Sequence, residues 1–199
     1  MASAPIAALR RFVRSREPEE HCDTCGRALT SKHRHTFEPK LRRIRCSCDS
    51  CLPLQALRYR EIPKRVIPLP NFQMTDAQWD SLMIPIALAF FSYNTPEARV
   101  IALYPGPAGA AESLLDMSAW EDLSAANPEL ATLQPDVEAL LINRIGQVRQ
   151  YFIVPIDECY KLVGLIRLHW RGLSGGAQVW GQIGQYFASL QQKGNACQL

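Results

Sequence analysis

The sequence predicts an α+β protein, with a small N-terminal metal-knuckle module followed by an antiparallel-sheet domain with flanking and C-terminal helices. Three observations predict it. Five of the seven cysteines and three of the four histidines fall within residues 21–51. Apolar segments of strand length then pair as two hairpins, 84–91 with 98–104 and 137–142 with 150–154. Two stretches with apolar residues at every third or fourth position close the chain as helices. Hairpins followed by helices indicate helices packed on an antiparallel sheet. The expected division is a basic flexible tail over residues 1–20, a Cys/His metal-binding module over 21–62 and an α+β domain over 63–199.

Cys22-x-x-Cys25-Gly26 has the form of a metal knuckle: the two-residue gap lets both sulfurs face one ion, and the glycine relaxes the backbone turning beneath them. Cys48-x-x-Cys51 supplies the second pair. Cys22, Cys25, Cys48 and Cys51 together make a tetrahedral four-sulfur site of the zinc-ribbon kind. Zinc is the expected ion, and a rubredoxin-like iron is the alternative, because spacing alone does not separate the two. His33, His35 and Cys46 are surplus to four ligands. They allow a mixed Cys/His site, a second ion or a transiently loaded metal such as nickel. His33 and His35 are read as pointing to opposite faces of an exposed strand, so that at most one, His35 in preference, reaches the ion.

Between the knuckles, residues 33–37 and 42–45 read as two short strands around Glu38-Pro39-Lys40. Alternation in Phe37, Leu41 and Ile44 is poor, so the metal is expected to supply most of the order there. Pro53, Pro63, Pro68 and Pro70 exclude a continuous helix over 52–74, and residues 65–69 suit an edge strand. Thr75 with Gln78 predicts a capped helix carrying Trp79, Leu82 and Met83. Asn94 to Glu97 turn the first hairpin, and residues 104–109 leave the sheet. Ser118 caps a helix through Trp120, Leu123 and Ala126, with Glu121 at its third position. The second hairpin turns around Gly146. Ile156, Cys159, Tyr160, Val163, Ile166 and Trp170 form the buried face of the first closing helix, which Gly172 to Gly176 stop. Val179, Ile183, Phe187 and Leu190 form that of the second, which frays into Gly194.

The chain carries 22 Lys/Arg against 19 Asp/Glu, unevenly divided. Residues 1–65 hold fifteen basic against seven acidic residues, and residues 66–199 seven against twelve. Only Phe37 lies among the charges of the basic loop between the knuckles as a stacking aromatic, which favours a solvated or protein-docking face over nucleic acid. Clustered cysteine pairs without an export signal point to metal ligation in a reducing cytoplasm. No run of eighteen apolar residues suggests a membrane span.

No catalytic set assembles. Cys159 follows Asp157 and Glu158, but it lies on the apolar face of its helix with no histidine three or four positions away, and reads as a core residue. Asp157 and Glu158 suit the positive end of the helix dipole, and His169 its negative end. Gly106-Pro107-Ala108-Gly109 and residues 172–176 lack the lysine and the setting of a phosphate loop. Neither an enzyme nor a small-molecule substrate is expected.

Several stretches together resemble one family. They are the Cys22-x-x-Cys25-Gly26, His33-Arg34-His35 and Cys46-x-Cys-x-x-Cys51 motifs, Trp79 with residues 84–91, Tyr104-Pro105-Gly106-Pro107-Ala108-Gly109, Asn127-Pro128, residues 135–141, Pro155-Ile156-Asp157-Glu158-Cys159-Tyr160, Leu162-Val163-Gly164 and residues 170–176. The similarity spans residues 21–190 and is to an uncharacterised bacterial family encoded beside uptake nickel–iron hydrogenases, mainly of the oxygen-tolerant type. It implies a context rather than a reaction: an accessory protein or subunit of a nickel–iron hydrogenase system, docking on hydrogenase subunits or maturation proteins. The alternative it leaves is an iron protein passing electrons to or from the hydrogenase.

Overall fold

The computed structural model describes residues 19–172 and 174–196; most of the basic tail expected over 1–20 lies outside the described residues. In chain order the elements are β1 (Arg34–Glu38), β2 (Arg43–Ser47), α1 (Leu52–Gln55), β3 (Arg60–Glu61), β4 (Ile67–Pro68), α2 (Asp76–Ser81), β5 (Leu88–Asn94), β6 (Arg99–Gly106), β7 (Gly109–Ser113), α3 (Met117–Ala126), a 3-10 turn (Pro128–Thr132), β8 (Glu138–Asn143), β9 (Gln150–Pro155), α4 (Ile156–His169) and α5 (Gly176–Ala196). The expected α+β class with antiparallel sheets is the one observed.

Six strands pair antiparallel in the order β4-β9-β8-β5-β6-β7. The central strands are apolar at nearly every position because both faces of the sheet are covered, and successive side chains alternate between them. On one face the register places Phe90 beside Leu103 and Leu141, and Leu141 beside Phe152. Helices α4 and α5 cover these residues with Cys159, Leu162, Ile166, Val179, Ile183 and Phe187. On the other face Phe91 lies between Ala102 and Leu140, under Trp79, Trp120 and Leu123. Phe91 stacks on Trp120 with ring centroids 5.3 Å apart.

Local chemistry explains most element boundaries. Thr75 and Gln78 form the expected reciprocal capping box at the start of α2. At α3 the cap is Asp116 rather than Ser118: its carboxylate accepts from the Ser118 backbone N–H at 2.9 Å, so the helix begins earlier than expected. β5 begins at Leu88, not Ile84, since Pro85 cannot donate to a ladder. Residues 104–109 do not leave the sheet; β6 continues through Gly106 and reverses into β7, with Gly109 at φ +129. Nor does α5 fray at Gly194, which is buried against Pro68.

β1 pairs with β2 and β3 in a second, three-stranded sheet, order β2-β1-β3. The module is not ordered by its metal site alone. Phe37 is 4% exposed and joins the core under α4 and α5, together with Ile62 and Val66. Burying such a side chain contributes about 1.5–3 kcal/mol. Arginines of residues 42–65 also meet carboxylates of the α+β domain. Arg60 Nε lies 2.8 Å from Asp136 Oδ2, Arg65 binds Glu138, and Arg42 bridges Glu97 and Glu112. The uneven charge of the sequence is therefore partly neutralised within the molecule.

Candidate metal centre

The first knuckle is a tight turn. Gly26 donates its N–H to the Cys22 carbonyl at 2.9 Å and takes φ +71, a left-handed conformation that a glycine adopts without strain. Cys22 donates back to the Arg27 carbonyl at 2.8 Å. The second knuckle follows β2, where Cys51 and Leu52 both donate to the Cys48 carbonyl, at 3.0 and 3.1 Å. The two turns face each other because Asp23 crosses between them. Its N–H donates to the Cys46 carbonyl at 2.9 Å, and its carboxylate accepts from the Cys46 N–H at 2.6 Å.

This brings the sulfurs of Cys22, Cys25, Cys48 and Cys51 together, every pair within 4.8 Å. The Cys25 and Cys48 sulfurs are 3.8 Å apart. A tetrahedron of sulfurs at about 2.3 Å from a central ion has edges of about 3.8 Å, so the Cys25–Cys48 edge has the spacing of a four-thiolate site and no other edge exceeds 4.8 Å. Cys22, Cys48 and Cys51 are buried and Cys25 is exposed. Cys22 is prepared for ligation: burial opposes its ionisation, but backbone N–H groups of Cys48, Cys25 and Thr24 outweigh it and bring the thiol down to about 6. Cys51, whose own S–H donates toward the neighbouring sulfurs of Cys48 and Cys25, is pushed up to about 12. Four sulfurs would close the coordination sphere of an ion and leave no position for water.

The remaining sequence candidates do not join this centre. His33, His35 and Cys46 form a separate group, their ligand atoms also within 4.8 Å of one another. The expectation that the two histidines diverge is overturned: residues two apart along an extended chain share a face. Their rings meet edge to face, centroids 4.7 Å apart, with Nε2 atoms separated by 3.0 Å. The other nitrogens are engaged outside the group. His33 Nδ1 lies 2.9 Å from the Thr30 carbonyl oxygen and 3.5 Å from Glu20 Oε2. His35 Nδ1 lies 2.9 Å from Asp157 Oδ2 at the start of α4. Burial, and then the carboxylates of Glu20 and Asp23, push the Cys46 thiol up.

Sequence reasoning missed Asp157 as a partner of this group, because it assigned that carboxylate to the helix dipole alone. The period of two along residues 33–35 was the signal that places both rings on one side. Cys159 is the core residue expected, fully buried, with burial raising its thiol well above the ordinary value. Its neighbour Glu158 is 7% exposed and holds Lys193 at 2.8 Å and Lys161 at 3.1 Å. Among the described residues no helix is long and apolar enough to cross a membrane.

Neither the curated proteins nor the solved structures include a match to this chain. A family model covers residues 21–194, from the residue before the first knuckle to the last turns of α5, and the chain belongs to that family, the family of unknown function DUF5947.

Proposed function

We propose that the protein is a non-enzymatic, zinc-stabilised docking protein: a cytoplasmic accessory factor or subunit of a nickel–iron hydrogenase system. The observation that carries the metal half of this reading is the closed set of Cys22, Cys25, Cys48 and Cys51, whose 3.8 Å sulfur edge suits an ion with no exchangeable ligand. Zinc supplies cross-linking and no redox chemistry there. The ion pairs of Arg42 with Glu112 and of Arg60 with Asp136 favour presentation of the module and the α+β domain as one surface. The partner class, hydrogenase subunits or maturation proteins, rests on the sequence similarity to a hydrogenase-linked family. Iron in the same four sulfurs, with Cys25 exposed at the edge, is the second reading and would make the centre an electron carrier.

The test is elemental analysis with a visible spectrum, on protein purified without oxygen from its native host, together with identification of what co-purifies. The expected result is a colourless protein with one zinc that withstands mild chelation, accompanied by hydrogenase components. Iron with a thiolate-to-metal absorption that bleaches on reduction overturns the zinc assignment. Absence of hydrogenase components from a stable complex with other proteins overturns the partner.

A further inference from the structure

The approach of the two histidine rings is chemically informative. A carboxylate oxygen and a backbone carbonyl only accept hydrogen bonds, so the Nδ1 atoms of His35 and His33 must both donate, to Asp157 and Thr30. A neutral imidazole has one N–H. With that proton on Nδ1 in each ring, the two Nε2 atoms face each other at 3.0 Å lone pair to lone pair. Such a contact is repulsive unless a cation lies between the nitrogens. A proton would serve, but it would not account for the third donor, the Cys46 sulfur, which closes the same space.

We propose that His33 Nε2, His35 Nε2 and Cys46 Sγ form a second metal site, distinct from the four-sulfur centre, that takes an exchangeable divalent transition-metal ion of borderline softness. Two imidazoles and one thiolate suit such an ion. They leave the fourth position of a tetrahedron to water or an exogenous ligand, which is the pattern of open rather than structural sites. The surroundings are those of a built site. The Asp157–His35 pair is the carboxylate–histidine arrangement that fixes the tautomer and orientation of a metal-binding ring, and the Thr30 carbonyl does the same for His33. A groove lined by both histidines, Lys32, Lys64 and the Asp157 and Glu158 carboxylates, with Lys161 and Lys193 paired to Glu158, gives the ion a path from solvent. Because Asp157 lies in the first turn of α4 while the ligands belong to the module, metal at this site would bridge the two parts of the chain.

The probe is Co2+, titrated into full-length protein that retains its four-sulfur ion after mild chelation. Ion content is measured in the same samples, so that loading of the second site is separated from exchange at the first. The expected result is one additional equivalent per chain, with the visible absorption of thiolate-bound cobalt. His33→Gln and Cys46→Ser should lose that equivalent and keep the first. Asp157→Asn, which acts through His35, should keep the stoichiometry and weaken affinity about 10–100-fold. Wild-type protein that takes up no additional cobalt overturns the site and leaves the histidines sharing a proton. Variants that bind the second equivalent as wild type does also overturn it. Neither result bears on the first centre, whose content is read separately.

Discussion

Arg65 grips Glu138 with two parallel hydrogen bonds, Nε to Oε1 at 2.5 Å and Nη2 to Oε2 at 2.6 Å, where the connector after the metal module meets the first residue of β8. The Glu138 side chain is fully buried, and its Oε2 also accepts the Gln134 N–H at 2.9 Å. A charge in that position is tolerable only while it is paired. Arg65→Ala should therefore destabilise the protein by about 1–3 kcal/mol, the cost of leaving a buried polar group without its partner. Chemical denaturation of both proteins at neutral pH checks this. An unchanged midpoint would mean that the carboxylate finds water or another donor.

Removal of the four-sulfur ion should act locally first. Chelation, or Cys22→Ala or Cys51→Ala, should expose the amides of the two knuckles, residues 21–28 and 46–52, to hydrogen exchange while those of β5, β8 and β9 remain protected. Phe37→Ala should instead lower the stability of the whole protein, by roughly 3–5 kcal/mol, because the ring belongs to the main core. Equal metal content and equal melting for wild type and both cysteine variants would remove the metal assignment.

Gly194 permits α5 to pass against the start of the sheet. A Cβ there would lie 2.4 Å from the Cδ and Cγ atoms of Pro68, whose ring cannot swing away. Gly194→Ala should cost about 1–3 kcal/mol as overpacking, although alanine favours a helix elsewhere. A thermal melt that rises on substitution would show that the β4 edge yields instead.

The buried Glu158 carboxyl makes part of the stability dependent on acid. Burial alone would raise its affinity for a proton, but Lys193 and Lys161 outweigh this and hold it below its ordinary value of 4.5. The unfolded chain thus takes up the proton at a higher pH than the folded one. The contribution is complete above the unfolded value and is lost as pH falls through the lower folded value. Tyr186, Asp157 and Cys159 also face this region, and the Tyr186 hydroxyl donates to the Glu158 carbonyl at 2.8 Å. Lys193→Met should be less stable than wild type near neutral pH, with the difference shrinking in acid. A difference constant with pH would assign the effect to packing of the lysine stem.

Much of the fold was legible because it rests on local chemistry. The Cys-x-x-Cys spacings, the capping box of Thr75 and Gln78, both hairpins and the apolar faces of α4 and α5 are short-range patterns. β7 was missed because Gly109, Ala110 and Ala111 carry no β-branched or aromatic signal, and because Pro107 reads as an exit from the sheet. The burial of Phe37 was missed for another reason. Its packing partners lie on α4 and α5, far along the chain, and poor alternation within a five-residue strand says nothing about them. The pairing of Arg60 with Asp136 and of Arg65 with Glu138 is likewise tertiary: the sequence shows an uneven charge but not that its two parts neutralise each other. At the metal centre, the four sulfurs came from spacing, whereas the meeting of His33 with His35 was missed because the alternation of a strand was wrongly applied to residues two apart. Asp157 could only come from the fold.

The 122 residues separating His35 from Asp157 also set an order of events during synthesis. All four sulfurs of the first centre have been made once Cys51 leaves the ribosome. The carboxylate that orients His35 follows Cys51 by roughly 5–21 s at typical rates of translation. In that interval the nascent module holds paired thiols and an uncovered Phe37, with α4 and α5 still to come. An ion captured early by the four cysteines would shield them from oxidation and misplaced ligation during the wait. The His33–His35 pair reaches its final geometry only on a completed chain, so the centre within the module can mature before the one that leans on α4.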